Sequence, residues 1–274
     1  MPATTTGLLV SGGSVANFVS MTTGFHAVLG PRLRTEGVRG LDRTPRAALA
    51  PAPEQLRREY QPRGTPRTIE GPLYVAGAPV CHGSARLDDG TESEQAEVLF
   101  MQGTVYGDDG KAIPGATVEV WHANLLGNYS HFDQTQSAFN LRRTIIADEQ
   151  GRYQFRTIMP KGYGCPPGGS TQTLLDLLGR HGQRPAHIHF FVSADGHRKL
   201  TTQINIEGDD YLWDDFAFAT REGLVPPITR ITDPARIDAQ RLDKPFASID
   251  FAAAQVAVSA DRAEGIAGGG GGHG

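Results

Sequence analysis

Between residues 64 and 260, short runs of alternating apolar and polar residues predict a mainly β protein. The turns that separate these runs are rich in Gly and Asp, as at 107–110 and 148–151, which is typical of strand connections. Leu174, Leu175 and Leu178 share one helical face ahead of Gly179, so 171–179 is the only helix predicted in this part. Many short strands with few helices favour a two-sheet β-sandwich. The predicted strands are 98–106, 117–121, 152–158, 187–192 and 200–206.

The two ends of the chain lack this alternation. Residues 1–63 are rich in Arg and Pro, which predicts a short N-terminal arm that is irregular or only partly helical. Within it, residues 53–60 can form two helical turns, with Pro53 suited to the first position. The Gly-rich residues 261–274 predict a disordered tail. The chain therefore divides into an arm, one β-sandwich domain at 64–260, and a tail.

Composition excludes several classes of function. A net charge of -4 and a pI near 6.1 give no electrostatic case for nucleic-acid binding. No stretch approaches the roughly 20 apolar residues of a membrane helix. The two cysteines, Cys81 and Cys165, are too few for a disulfide framework, so we expect a reduced, cytoplasmic protein.

His187 and His189 form the first candidate site. Residues i and i+2 of a strand point to the same face, so both imidazoles project together and can grip a metal ion. Spacing alone leaves open a second interpretation, in which one histidine packs in the core and the other lies on the surface. His181 lies in a turn-like stretch and is a weaker candidate.

Further ligands are needed to complete a metal site. Cys81 and Cys165 form no CxxC pair, which argues against zinc. Tyr129 and Tyr163 follow the strands 117–121 and 152–158 in Gly-rich loops, where sites are often built, although ordinary loop tyrosines are an open alternative. Tyr106 and Tyr153 lie inside predicted strands and are interpreted as packing residues.

Six segments together resemble the intradiol ring-cleavage dioxygenase family, and most closely its catechol-cleaving branch. The resemblance spans about 65–251, with the motifs in the family's order and spacing. The segments are Gly-Asn-Tyr-Ser at 127–130, the loop 160–167, Gly-Arg-His-Gly at 179–182, Arg-Pro-Ala-His-Ile-His at 184–189, Leu-Thr-Thr-Gln at 200–203 and Asp-Asp-Phe-Ala-Phe-Ala at 214–219.

This resemblance implies a mononuclear non-haem Fe(III) bound by Tyr129, Tyr163, His187 and His189. It makes Tyr129 and His187 equatorial ligands and Tyr163 and His189 axial ligands. Fe(III) is a hard cation that favours anionic oxygen, and a trivalent ion can hold a tyrosine deprotonated although the free phenol has a pKa near 10.

The resemblance also implies the reaction and the residues around it. Catechol is cleaved by O2 between its hydroxyl-bearing carbons to give cis,cis-muconate, in the β-ketoadipate route of aromatic degradation. Tyr163 leaves the metal and takes up a substrate proton. Arg184 faces the charge that develops on the ring, and Gln203 lies near bound O2 or substrate. The ring pocket is lined by Ile69, Pro72, Leu73, Arg184, Phe216 and Ala217.

Partners and alternatives follow from the same comparison. The family implies a homodimer formed through an N-terminal helical segment that is longer than the present arm. We therefore expect weaker dimerisation, and a phospholipid at the dimer interface is left open. Hydroxyquinol or chlorocatechol are alternative substrates, whereas the apolar pocket disfavours protocatechuate. A non-catalytic β-sandwich binding module is an alternative from another class, and it would not need both tyrosines and the histidine pair. A zinc hydrolase is a further alternative, but it would need a carboxylate base beside the histidines, where Arg184 stands instead.

Overall fold

The computed structural model describes residues 64–92 and 94–251, and the backbone of 256–258. Within these residues the chain forms thirteen strands and two helices. The elements in chain order are β1 (Val80–His82), β2 (Ser84–Arg86), β3 (Val98–Gly107), β4 (Thr117–His122), β5 (Arg142–Ile146), β6 (Arg152–Ile158), β7 (Tyr163–Gly164), α1 (Ser170–Leu177), β8 (Gln183–Arg184), β9 (His187–Ser193), β10 (Leu200–Asn205), β11 (Thr229–Ile231), α2 (Pro234–Ala239), β12 (Phe246–Asp250) and β13 (Val256–Val258).

Two sheets pack face to face. The five-stranded sheet has the order β1-β5-β4-β9-β10. The six-stranded sheet has the order β11-β12-β3-β6-β2, and its sixth strand, β13, pairs with β3. Apolar side chains from both sheets fill the space between them. The centroid of the Phe190 ring, for example, lies 6.4 Å from that of Tyr153 and 6.3 Å from that of Phe155. Burial of this apolar area is the main stabilising contribution to the sandwich. The predicted mainly β, two-sheet fold class is confirmed.

The alternating segments predicted the long strands well. All five predicted strands are present as β3, β4, β6, β9 and β10, and the helix predicted at 171–179 is α1. The expectation that this is the only helix was wrong, because α2 follows an Asp233 cap that accepts a hydrogen bond from Ala235 N at 2.9 Å. Six residues are too few to show helical periodicity, so the signal for α2 lies in its Asp-Pro start.

The outer face of the sheet β1-β5-β4-β9-β10 is buried along the central strand β9. Strand β9 is consequently buried on both faces: Ile188 and Phe190 point into the sandwich core, and His187 and His189 lie on the opposite face. Pairing extends this face sideways, because Gln203 lies opposite His189 and Asn205 lies opposite His187.

On the other side of β9, strands β4 and β5 continue the same face. Trp121 is the register partner of His189, and Arg142 is the register partner of Trp121. The sheet therefore aligns two histidines, a tryptophan, an arginine and two amides on one covered surface, away from the inter-sheet core.

No helix in the part of the chain that the structure describes is long and apolar enough to cross a membrane. The predicted arm at 1–63 and the predicted tail at 261–274 lie outside the described residues, so their folding stays a prediction.

Candidate metal centre

The two histidines of β9 point their Nε2 atoms toward each other. His187 Nδ1 lies 2.6 Å from the carbonyl oxygen of Pro185 and therefore carries the proton, which leaves a lone pair on Nε2. That Nε2 lies 3.1 Å from Nε2 of His189. Trp121 stacks on the His189 ring, with centroids 4.8 Å apart and planes inclined by 6°. The predicted same-face arrangement of His187 and His189 is therefore present in the fold.

The loop after β4 and the start of the short strand β7 bring Tyr129 and Tyr163 to these histidines; the expectation that Tyr163 lies in a loop was wrong, because Tyr163 pairs with Arg184 of β8. The Tyr129 and Tyr163 rings meet edge to face at 5.6 Å, and the Tyr163 ring lies 5.6 Å from that of His187. Gly127 permits the close approach of these two segments, because its φ is +78° and an added Cβ would lie 2.8 Å from the carbonyl oxygen of Gly162. The four residues that the sequence predicts as ligands therefore lie together.

Burial sets the protonation of these groups in the absence of a cation. It lowers the pKa of His187 and of His189 well below the usual value, and the nearby Arg184 guanidinium lowers both further. Burial also raises the pKa of Tyr129 well above the usual value, with a further contribution from Tyr163. Both imidazoles are consequently neutral, while the Tyr129 phenolate requires nearby positive charge.

Arg184 lies at the centre of a buried polar network. Its guanidinium donates to both carboxylate oxygens of Asp215, each at 3.2 Å, and to Gln203 Oε1 at 3.1 Å. The remaining nitrogen, Nη1, lies 3.1 Å from His187 Nε2 and 3.4 Å from the Tyr163 hydroxyl. Burial would lower the pKa of Arg184, but Tyr163 and Asp215 raise it above its ordinary value, so the side chain is a fixed cation.

The residues predicted to line the ring pocket lie on two segments beside the tyrosines. Leu73 packs against the buried cluster that contains Trp121 and Tyr129. Gly71, two residues earlier, approaches the His189 ring, where an added Cβ would lie 3.8 Å from Cε1. Ile69 is half-buried, as are Phe216 and Ala217 beyond Asp215, whereas Pro72 is exposed. Phe216 N donates to Gln183 O at 3.2 Å, which places this second segment beside Arg184.

Sequence reasoning missed three residues of the centre: Trp121, Arg142 and Asp215. Asp215 lies in the 214–219 motif, but nothing in the local sequence distinguishes it from Asp214. In the structure the Asp215 side chain is 1% exposed and that of Asp214 is 76% exposed. Trp121 and Arg142 are recognised only once the pairing of β4 with β9 and of β5 with β4 is known.

Other candidates lie elsewhere in the fold. His181 is within 3.0 Å of Asp214 and accepts from Gln183 N, so it is engaged outside the centre. Cys81 and Cys165 are both free thiols. A depression of about 580 Å³ lies on the six-stranded sheet and contains none of the predicted site residues; it is lined by His82, Gly83, Ser84, Gln102, Gly103, Thr104, Asp148, Arg152, Tyr153, Gln154 and Asp250.

Comparison with known proteins identifies the family of the chain. The family model described as "Dioxygenase" matches residues 69–244, most of the described chain and all the predicted site residues. The chain belongs to the intradiol dioxygenase family. This family uses iron.

Two curated relatives and one solved structure show how similar the chain is to known proteins. The chain is 70% identical over 165 residues to catechol 1,2-dioxygenase 2 of Acinetobacter lwoffii, covering 60% of this chain and 59% of that protein. It is 63% identical over 188 residues to catechol 1,2-dioxygenase of Acinetobacter guillouiae, covering 69% and 62%. The chain thus spans about 60% of the length of these curated relatives. The crystal structure of wild-type Acinetobacter radioresistens catechol 1,2-dioxygenase superposes with a TM-score of 0.71 at 52% identity, covering 91% of this chain and 74% of that one.

The donor set fits an iron ion of the kind that the intradiol family uses. Among the described residues, no group of three or more His, Cys, Asp or Glu could hold a metal, so a metal here must recruit the tyrosine oxygens. The Tyr129 hydroxyl is buried and lacks a satisfactory hydrogen-bond partner, which is costly unless a cation completes it. The Nδ1 proton of His187 on a backbone carbonyl is the usual outer contact of a metal-binding histidine.

Proposed function

We propose that this chain cleaves catechol between its hydroxyl-bearing carbons with O2, giving cis,cis-muconate, at an Fe(III) ion held by Tyr129, Tyr163, His187 and His189. The observation that carries the proposal is the convergence of two neutral imidazoles and two phenols on one covered sheet face. When bound, the ion would act as a Lewis acid that holds the deprotonated diol and activates its ring toward O2.

The two tyrosines differ in surroundings, which supports different roles. Tyr129 is 3% exposed and packs with Trp121, Ala123 and Phe191, so it is suited to a permanent ligand. Tyr163 is half-buried, and its hydroxyl lies 3.4 Å from Arg184 Nη1. The Tyr163 oxygen therefore already has a hydrogen-bond donor beside it, in Arg184 Nη1. We infer that Tyr163 would help to hold the ion and that its oxygen would accept one substrate proton.

Arg184 is the side chain suited to stabilise negative charge on the ring. Asp215 and Gln203 fix the guanidinium on two sides, so it requires little reorganisation when the charge develops. Preorganised charge of this kind is most effective in a site that excludes water, and Arg184 is 3% exposed. Gln203 is held by Arg184 and Asn205 and can orient O2 or the substrate beside His189.

The substrate is proposed from the character of the two lining segments. Ile69, Leu73, Phe216 and Ala217 are apolar, and Arg184 already balances the charge of Asp215. A ring substituent with a carboxylate would therefore bring a charge with no counter-ion among these residues, which disfavours protocatechuate. Catechol is the proposed substrate, and activity on a panel with hydroxyquinol and chlorocatechols discriminates the alternatives.

One set of measurements tests the proposal. Purified protein is expected to contain one iron per chain and to show a visible phenolate-to-iron charge-transfer band, which shifts when catechol is added without O2. With O2, the product is expected to be cis,cis-muconate. Colourless, zinc-loaded protein without ring cleavage would overturn the proposal.

A matched pair of tyrosine variants assigns the role of Tyr163. Tyr163→Phe is expected to change the band and lower kcat, whereas Tyr106→Phe, on β3 away from the centre, should leave both unchanged. Full activity in Tyr163→Phe would remove Tyr163 from the mechanism. The homodimer implied by the family is a separate proposal, and sedimentation at nanomolar concentration tests it.

A further inference from the structure

Arg142, at the start of β5, is a buried cation without a carboxylate partner. The residue is 1% exposed, and within residues 64–92 and 94–251 no carboxylate lies at ion-pair distance from it. Its hydrogen bonds go to neutral oxygens instead, and its Nη1 has no partner. Such a charge is unfavourable unless a negative group compensates it. Arg184 differs in this respect, because Asp215 balances its charge.

The group beside Arg142 is Tyr129. The guanidinium carbon lies 5.7 Å from the centre of the Tyr129 ring. Arg142 Nε donates to Ser130 Oγ at 2.9 Å and Nη2 donates to Ser130 O at 3.1 Å, so the cation is tied to the residue next to Tyr129. Ser130 in turn donates to Asn140 O at 2.7 Å, which fixes the loop against the chain leading into β5.

We propose that Arg142 is a positioning residue for Tyr129. It fixes the loop through Ser130, and its positive charge compensates the negative charge that Tyr129 carries as a metal ligand. This inference rests on the proposed function, since only a deprotonated Tyr129 supplies the missing counter-charge. Arg142 touches neither substrate nor the reacting atoms in this scheme, and it acts by setting how strongly the phenolate donates electrons.

The colour of the iron-loaded protein reports this effect directly. A nearby cation lowers the energy of the phenolate electrons, so removing it should reduce the energy of phenolate-to-iron charge transfer. Arg142→Gln is therefore expected to shift the visible band to longer wavelength and to lower the Fe(III)/Fe(II) potential. Arg142→Lys keeps the charge and should leave the band near its wild-type position.

Arg143 provides a matched control on the same strand. It lies on the opposite face of β5 and donates to the carbonyl oxygens of Phe139 and Arg142. Arg143→Gln removes the same charge one residue away and should leave the band and the potential unchanged. If Arg142→Gln folds poorly, as circular dichroism and thermal unfolding would reveal, Arg142→Met gives the same readout with less loss of packing.

The outcomes separate the two proposals. A wild-type protein without iron or colour overturns the proposed function. A coloured wild type in which neither Arg142→Gln nor Arg142→Met shifts the band, or in which Arg142→Lys shifts it equally, overturns the role of Arg142. A shift in both neutral variants, with Arg142→Lys and Arg143→Gln near wild type, supports it.

Discussion

Replacing Asp215 by Asn tests how the buried network holds Arg184. The two side chains are 1% and 4% exposed, and their pairing is bidentate. Asp215 Oδ1 also accepts from Ala217 N at 3.0 Å, and Oδ2 accepts from Ala219 N at 3.1 Å. Each carboxylate oxygen therefore serves two N–H donors. Whichever way an Asn amide is turned, its NH2 group faces two of these donors, which lose their acceptor.

The expected loss of stability follows from the number of N–H donors that lose their acceptor. Each buried donor left without a partner costs about 1–3 kcal/mol, and breaking a buried ion pair from one side costs about 3–5 kcal/mol. We therefore expect Asp215→Asn to lower the free energy of unfolding by about 3–5 kcal/mol. Asp214 is the matched control, because its side chain is 76% exposed. Asp214→Asn should change stability by less than about 1 kcal/mol.

Urea denaturation of the four proteins in a double-mutant cycle measures the pair. The cycle compares wild type, Asp215→Asn, Arg184→Met and the double variant. The loss caused by Asp215→Asn should shrink strongly once Arg184 is absent, because the unpaired buried cation is gone. If Asp215→Asn is as stable as Asp214→Asn, or if its cost is the same in both backgrounds, the network does not hold Arg184 in the way described.

Three further changes test other parts of the centre. Gly162→Ala should destabilise the fold by about 1–3 kcal/mol and displace Tyr163, because its Cβ would lie 2.5 Å from the backbone oxygen of Arg184. Gly164→Ala is the control, because the three atoms nearest to its added Cβ all belong to the flexible Gln183 side chain. Equal unfolding midpoints for the two variants would contradict the argument. Tyr129→Phe should abolish iron binding, as measured by metal analysis. The metal-free variant should be as stable as the metal-free wild type or about 1 kcal/mol more stable, because the change removes a buried hydroxyl that has no hydrogen-bond partner. Burial lowers the pKa of His122 to about 4. Below about pH 6.5 the unfolded chain binds a proton on this side chain that the folded chain does not, so the free energy of unfolding should fall by up to about 3 kcal/mol from pH 6.5 to 4. In urea titrations at each pH, His122→Gln should show a shallower fall.

The sequence determined the strands and the identity of the candidate ligands. Period-two alternation is a local property, so β3, β4, β6, β9 and β10 could be read directly from it. The spacing of His187 and His189 likewise requires a shared face in any strand. Tyr129 and Tyr163 were selected from seven tyrosines only through the family's motifs, because nothing local distinguishes a ligand tyrosine from a loop tyrosine.

The tertiary structure decided which groups surround those ligands. Strands β5 and β12 were missed, because their short sequences carry weak alternation and are fixed by pairing with β4 and β3. The difference between Asp214 and Asp215 depends on which of them faces Arg184 across 31 residues of chain. Arg142 becomes relevant only when β5 pairs with β4 and brings it beside Tyr129. Charge compensation in a buried site depends on distance in space, and sequence separation does not encode that distance.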